Sequence, residues 1–316
     1  MPNVRTDLAM EAHEALGKVD IPGVRVEEEV PSGDIRISRV EITGEEGARR
    51  LGKPIGRYVT VESRRLREHD PEHAQKVGEA VSRELAGFLG PGDDPVLVVG
   101  LGNWNATPDA LGPKVIERVL VTRHLKKTLQ AEVGTGLRTV SAVAPGVLGL
   151  TGIESLEMVE GLSRQVEPRL VLAIDALAAA HVERIGATIQ ISDTGIHPGS
   201  GVGNRRGGLT FETLGRRVIA IGVPTVVHAM TVAKEALRTL AERLGGDVSW
   251  QDIERSLGGD YDDARFEEVL GPELGALVVT PKEIDIMIHD LTRIMAGAIN
   301  TALHPDIDLG EFALFS

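Results

Sequence analysis

Short apolar runs separated by turns and amphipathic segments dominate the chain and predict alternating strands and helices. Near the N-terminus the runs alternate apolar with polar residues, which is typical of strands with one solvated face. They span Val24–Val30, Ile35–Ile42 and Tyr58–Glu62. From Pro95 onward the runs are continuously apolar, which is typical of strands buried on both faces. They span Val96–Val99, Thr139–Val143, Leu170–Ile174, Thr188–Ile191 and Val218–Ile221.

Helical patterns lie between and after these runs. They cover Leu111–Val119, Ser155–Gln165, Ala176–Arg184, Val226–Leu244 and Pro281–Leu303. An earlier helix is predicted from Pro71 to about Phe88, with Asp70 as its N-cap. This alternation predicts an α/β fold with a mostly parallel sheet flanked by helices. We expect one domain over residues 8–316, with a smaller β-rich part at 8–70, an α/β core at 71–316, and a loop excursion at Gly245–Gly271.

Composition narrows the class of protein. The net charge of −13 disfavours direct contact with nucleic acid or an anionic membrane, because both partners are also negatively charged. The absence of cysteine excludes a disulfide framework, a thiolate nucleophile and a thiolate zinc site. The first fifteen residues have no long apolar run of the kind found in a signal peptide or anchor. We therefore expect a cytoplasmic protein.

Ligands of open α/β sheets bind at the carboxyl ends of the strands, so the segments after the apolar runs are the candidate sites. The first begins with Gly100-Leu101-Gly102, like a dinucleotide fingerprint, but Asn105 stands where the third glycine belongs. Thr107 and Pro108 could open a helix, with Asp109 complementing its dipole. On spacing alone, Asp109 is either a helix-terminal residue or a catalytic one.

Asp175 follows the apolar run Leu170–Ile174 and forms a second candidate site. It is either another helix cap or a carboxylate that shares a cleft with Asp109. A pair of neighbouring carboxyl groups, one ionised and one protonated, can activate water and protonate a leaving amine.

The third candidate segment is Ser192–Asn204, which contains Asp-Thr-Gly and alternating glycines. Pepsin-like and retroviral proteases share Asp-Thr-Gly, but they are all-β and need two copies, whereas this α/β sequence has one. Glycine-rich backbone can present N–H groups to a substrate carbonyl, although a flexible turn is the commoner role. We expect this segment to border the site. The supporting candidates are Asn103, Asp193, His197, Gly199 and Gly201.

Other hydrolase signatures are missing. No G-x-S-x-G nucleophile elbow and no H-E-x-x-H zinc helix occur in the sequence. The residues alone therefore give poor support to serine-hydrolase or zinc-peptidase chemistry.

Together these segments resemble one family, the germination endopeptidases (spore proteases) of spore-forming bacteria. The resemblance spans nearly the whole chain. The matching stretches are Val4–Ala9, Gly100–Pro113, Pro145–Glu154, Ala173–Ala179, Ala187–Asn204, Glu212–Val227, Thr280–Asp285 and Asn300–Pro305.

The resemblance implies an atypical aspartic-type endopeptidase that begins the degradation of small acid-soluble DNA-binding proteins during spore germination. It implies a zymogen, a homotetramer, a location in the forespore or spore core, and a fold similar to that of the hydrogenase maturation peptidases. Its catalytic pair would be Asp109 and Asp175, without a cofactor.

Two alternatives remain. A hydrogenase-maturation-like peptidase would hold a divalent metal at Asp109, Asp175 and His197. A nucleotide-binding module would use Gly100–Gly102, but the residues around Leu120, where its acidic residue should stand, are apolar.

The N-terminus carries a candidate processing site. Asp7-Leu8-Ala9-Met10-Glu11 is similar to the acidic–apolar–small–x–Glu sequence that the family cuts in its substrates. We therefore predict self-cleavage between Asp7 and Leu8, which removes residues 1–7 as a propeptide. The other interpretation is a first helix capped by Thr6 or Asp7, and the two are compatible because a terminal helix frays easily.

Overall fold

The computed structural model describes residues 6–17, 19–128, 137–199, 207–244, 271 and 277–307. The strands are β1 Val24–Ser32, β2 Ile35–Ile42, β3 Gly56–Glu62, β4 Val96–Gly100, β5 Val140–Val143, β6 Leu170–Ala179, β7 Thr188–Ser192, β8 Arg217–His228 and β9 Val278–Val279. The α-helices are α1 Ala9–Ala15, α2 Glu45–Leu51, α3 Pro71–Leu89, α4 Leu111–Ile116, α5 Arg123–Thr128, α6 Leu148–Thr151, α7 Ser155–Val166, α8 Phe211–Leu214, α9 Ala229–Leu244 and α10 Ile284–Leu303. The predicted excursion lies outside the described residues, except for Gly271.

All of the described strands belong to one sheet, ordered β1-β2-β3-β7-β8-β6-β4-β5, with β9 added to β8. Strands β5, β4, β6 and β8 pair in parallel, as their continuously apolar sequences predict, whereas β7, which has the same pattern, pairs antiparallel with both β3 and β8. The N-terminal strands pair antiparallel and join the rest through β3 and β7. The predicted α/β class is confirmed. The sheet is mixed, with its parallel part at the core and the β-rich N-terminal part extending the same sheet.

The helix predicted over Ala176–Arg184 is wrong. Strand β6 continues to Ala179, because it pairs with β8 from Leu170 to the strand's end. The favourable helix propensity of its alanines is overridden by this tertiary pairing. For the same reason β8 runs on to His228, so the helix predicted from Val226 begins three residues later.

Helix α3 begins as predicted. The Asp70 carboxylate accepts hydrogen bonds from the backbone N–H groups of Glu72 (3.0 Å) and His73 (3.4 Å), and Pro71 occupies the first turn. Its apolar stripe packs with α10 against one face of the sheet, where Val96 and Val98 of β4 are fully buried. The alternate residues of β4 pack with α7 on the opposite face. Helices therefore cover both faces of the parallel core.

The N-terminal helix α1 is part of a separate apolar cluster on β2 and β3. Ala9 and Met10 are buried there with Val40 and Ile42. The helix N-cap is Leu8, and no side chain caps it, so the predicted caps at Thr6 and Asp7 are wrong. Within the described ranges, none of the helices is both long and apolar enough to cross a bilayer.

Candidate active site

One cavity collects most of the residues that the sequence predicts to be functional. Its volume is about 430 Å³, within the usual size range of ligand sites. Its walls include Asp109, Asp175, His197 and Gly199, together with Asp7 from the N-terminal segment. The cavity opens where β6 continues past its last pairing with β4. It therefore lies at the carboxyl edge of the parallel core, as expected for this class of sheet.

The loop after β4 holds Asp109 in the cavity wall. One Asp109 carboxylate oxygen accepts a hydrogen bond of 2.8 Å from the Asn103 backbone N–H, and its carbonyl oxygen lies 3.0 Å from the same nitrogen. Gly102 has φ +117°, and a Cβ added there would lie 2.0 Å from the Asp109 carbonyl oxygen. The glycines of this loop therefore allow close backbone approach around Asp109. The interpretation of Thr107 as a helix cap is wrong, since Ala106 precedes a 3₁₀ turn with no side-chain cap.

Asp175 lies within β6 and is only 5% exposed. It is neither a helix cap nor the first residue after a strand. Asp175 pairs with Gly222 of β8, and Gly222 pairs on its other side with Gln190 of β7. Residues that pair across strands project to the same face, so Asp175 and Gln190 flank a glycine, about 9–10 Å apart at two strand spacings. All three residues line the cavity, and the Leu177 side chain lies over Gly222, where an added Cβ would come within 2.6 Å of it.

The described part of the Ser192–Asn204 segment, up to Gly199, forms another wall of the cavity. His197 lines the cavity and packs closely on the backbone of Gly208, where a Cβ would lie 2.6 Å from the imidazole Nε2. Gly201 lies outside the described residues.

Two supporting candidates point elsewhere. Asp193 accepts hydrogen bonds from the backbone N–H and the Nε of Arg57, at 2.8 and 2.9 Å, and is absent from the cavity wall. Its carboxylate anchors β3 to the loop instead. The Asn103 side chain accepts from the backbone N–H of Asn105 at 2.9 Å, so its contribution to Asp109 comes through its backbone.

One residue of the predicted cleavage site, Asp7, lines the same cavity. Asp7 makes two hydrogen bonds with Ala178 of β6. The Asp7 N–H donates to the Ala178 carbonyl oxygen at 3.3 Å, and the Asp7 carboxylate accepts from the Ala178 N–H at 3.0 Å. The Asp7 carbonyl oxygen accepts from Gln190 Nε2 at 3.0 Å, and Lys53 Nζ donates to the Thr6 carbonyl oxygen at 2.9 Å. Leu8 is fully buried, with extended backbone angles of −87° and 126°. Hydrogen bonds from Gln190 thus hold the backbone on each side of Leu8, and Asp7 lies in the cavity wall.

Ionisable groups beside the N-terminal segment are perturbed mainly by burial. Burial raises the pKa of Glu11, which is 1% exposed and accepts a 2.9 Å hydrogen bond from the Ala180 N–H. The Arg184 guanidinium, 3.6 Å from Glu11, partly offsets that rise in pKa. Burial lowers the pKa of Lys53, against the opposing effects of Asp7 and Glu11. Burial therefore disfavours the charged form of both Glu11 and Lys53, the groups that hold the N-terminal segment in place.

Several cavity residues were missed by the sequence analysis. They are Lys53, Tyr58, Gln190 and Thr225. Gln190 carried a local signal, since it is a polar residue inside the apolar strand β7. Burial raises the pKa of Tyr58 to about 12, so its hydroxyl stays a donor, and it donates to the Pro54 carbonyl oxygen at 2.8 Å. Lys53 had no such signal, because it lies in a polar connection between α2 and β3.

The side chains proposed for a metal do not form a metal site. Among the described residues, which include Asp109, Asp175 and His197, no three His, Cys, Asp or Glu side chains are grouped closely enough to hold an ion. The cavity wall thus brings together the carboxyl groups of Asp109, Asp175 and Asp7 and the amide of Gln190.

A distant likeness is found among the solved structures. The crystal structure of a [NiFe] hydrogenase maturation protease, HycI from Thermococcus kodakarensis KOD1, is 19% identical and covers 70% of this chain and 98% of that chain, with a TM-score of 0.37. That TM-score is too low to carry any argument about this chain.

Sequence relatives are much closer. The profile of the family described as germination protease matches residues 5–259 and 255–316. A germination protease from Caldanaerobacter subterraneus subsp. tengcongensis is 47% identical, over 96% of this chain and 95% of the relative. Germination proteases from Clostridium tetani and Bacillus velezensis are 42% and 43% identical, over 98% and 96% of this chain and 98% and 94% of the relatives. On these matches, the chain belongs to the germination protease family.

Proposed function

We propose that this protein is the endopeptidase that begins the degradation of small acid-soluble DNA-binding spore proteins during germination. Asp109 and Asp175 activate the attacking water in this proposal. The observation that carries it is the shared cavity, whose wall includes both aspartates and Asp7, the residue before the proposed cleavage bond. The family membership supports a protein substrate and a role in germination.

The proposed chemistry divides the work between the two carboxyl groups. One, ionised, accepts a proton from water while the water oxygen bonds to the scissile carbonyl carbon. The other, protonated, gives its proton to the leaving amide nitrogen as the C–N bond breaks. The products are a carboxylic acid and an amine, and the second proton of the water is lost to solvent as the acid ionises.

The protein acts first on itself in this proposal. The sequence Asp7-Leu8-Ala9 with Glu11 has the acidic–apolar–small–x–Glu form expected of the substrates. Cleavage after Asp7 would remove residues 1–7 and clear one wall of the cavity. We further propose that the active protein is a homotetramer in the cytoplasm of the forespore or spore core.

The test is self-cleavage of the full chain at mildly acidic pH, followed by intact mass and N-terminal sequencing. The wild type should yield a new terminus at Leu8. Asp109→Asn and Asp175→Asn should each slow its appearance by about 10²–10⁴-fold, the usual contribution of acid–base groups. Asp20→Asn, at an exposed position far along the chain from both aspartates, is the matched control and should cleave normally.

Thermal unfolding must show that the two aspartate variants remain folded. Normal cleavage in either variant would refute the catalytic pair, and a wild type that retains its N-terminus while it degrades a small acid-soluble spore protein would refute the self-processing. The same assay after dialysis against a chelator tests the metal-dependent alternative. We expect full activity, whereas a loss that nickel or zinc restores would favour that alternative.

A further inference from the structure

Gln190 lines the cavity and makes one hydrogen bond on each side of Leu8, the residue after the proposed scissile bond. Its Nε2 donates to the carbonyl oxygen of Asp7 at 3.0 Å, and its Oε1 accepts from the backbone N–H of Ala9 at 2.7 Å. We propose that Gln190 is a catalytic residue that stabilises the negative charge formed on the scissile carbonyl oxygen. This inference rests on the proposed cleavage between Asp7 and Leu8.

The orientation of the carboxamide follows from its partners. A backbone N–H can only donate and a backbone carbonyl oxygen can only accept, so Oε1 must face Ala9 and Nε2 must face Asp7. A flipped amide would lose both hydrogen bonds. The side chain is therefore fixed with a donor aimed at the carbonyl oxygen that gains charge during hydrolysis.

Burial increases the effect of that donor. Gln190 is only 8% exposed, and its neighbours Ile189 and Ile191 are fully buried. In such a setting a preorganised donor acts through a lower dielectric than water and needs little reorganisation as charge develops. Gln190 and Asp175 both pair with Gly222, so the amide and the carboxylate project to the same face of the sheet, with the Leu177 side chain over the glycine between them.

Lys53 is the competing candidate for this role, and its position argues against it. Its ammonium donates to the carbonyl oxygen of Thr6, one peptide unit before the scissile bond. Lys53 therefore positions the segment, while Gln190 contacts the reacting carbonyl.

The step can be written in full. Water oxygen bonds to the Asp7 carbonyl carbon, the carbonyl π electrons move to the oxygen, and one water proton passes to the ionised carboxylate of the aspartate pair. The Gln190 N–H holds the resulting oxyanion. The carbonyl then re-forms, the C–N bond breaks, and the Leu8 nitrogen takes the proton of the protonated carboxyl group.

The experiment compares self-cleavage of full-length Gln190→Glu, Gln190→Leu and wild type by the first-order appearance of the Leu8 terminus. Gln190→Glu keeps the acceptor for Ala9 and replaces the donor, and at neutral pH we expect about 10²–10³-fold slower cleavage. Thr188→Val is the matched control. This substitution removes a hydroxyl group from a fully buried residue of the same strand that does not line the cavity. The rate of self-cleavage of this variant should therefore equal that of wild type.

The pH profile separates a catalytic donor from a structural residue. The carboxyl group of the Gln190→Glu variant regains an O–H donor when it is protonated. The ratio of wild-type to variant rates should therefore shrink as pH falls toward the ordinary carboxyl pKa of about 4.3. Gln190→Leu cannot regain a donor, so its ratio should stay constant with pH. Thermal unfolding at each pH checks that the variants are folded.

Each outcome decides the question. Near-normal cleavage by Gln190→Glu at neutral pH, or equal losses in both Gln190 variants at every pH, would overturn the oxyanion role while leaving the proposed function intact. A wild type that forms no Leu8 terminus would overturn the proposed self-cleavage together with this inference, and that failure is recognised before any variant is compared.

Discussion

Replacing Gly102 with alanine should displace Asp109 while leaving its carboxyl group chemically unchanged. Gly102 has φ +117°, a conformation that residues with a Cβ rarely adopt. The added Cβ would lie 2.0 Å from the Asp109 carbonyl oxygen and 3.1 Å from its carboxylate Oδ1. The first contact is with backbone, so a side-chain rotation cannot relieve it.

The size of the effect follows from that overlap. To reach 3.4 Å, where ordinary van der Waals contact begins, the two segments must separate by about 1.4 Å. A misplacement of about 1 Å in a catalytic group costs about 10²-fold in rate. The backbone strain adds about 1–3 kcal/mol to the free energy of the folded state, which leaves most proteins of ordinary stability folded. We therefore expect at least about a 100-fold loss of self-cleavage in a folded protein.

The assay is the rate of appearance of the Leu8 terminus, with urea unfolding at the same pH. Gly87→Ala is the matched control, because its Cβ would meet nothing within 4 Å and the residue lies in α3. It should stabilise the protein by about 0.5–1 kcal/mol without changing the rate. If Gly102→Ala cleaves as fast as wild type, the position of Asp109 does not limit the reaction and the reasoning is refuted.

Two further predictions concern stability. Burial raises the pKa of Glu11 above 4.5, so its stabilising contribution is complete below pH 4.5 and is lost as pH rises through the folded-state pKa. The stability of wild type relative to Glu11→Gln should therefore fall with rising pH, by at most about 1.4 kcal/mol per pH unit. Urea unfolding of both proteins between about pH 4 and pH 7 measures this difference in stability. A difference that stays flat or rises with pH would contradict the prediction. Asp70→Ala should destabilise the protein by about 1 kcal/mol through loss of the α3 N-cap, whereas Asp70→Asn should lower the stability much less. Equal denaturation midpoints for the two variants would show that the cap contributes nothing.

Local sequence determined the features that depend on neighbours along the chain. The apolar runs located strands such as β2 and β4, because burial on one or both faces leaves a distinct pattern. Asp70 and Pro71 marked the start of α3, because a cap acts within one helical turn. The long matching blocks identified the family, and the sequence comparisons confirm it.

The composition of the cavity depended on contacts between distant parts of the chain. The sequence rule placed Asp175 after its strand, whereas pairing with β8 extends β6 past it. Asp193 looked like a site residue but is held by Arg57, which lies more than a hundred residues earlier.

Gln190 shows most clearly what only the tertiary structure decided. Its polar side chain in an apolar strand was visible in the sequence, but its partners, Asp7 and Ala9, come from the N-terminal end of the described chain. Apolar patterning determines which face of a strand is buried. Strand order and register determine which distant residues then meet on that face, because pairing partners are chosen by the packing of the whole sheet.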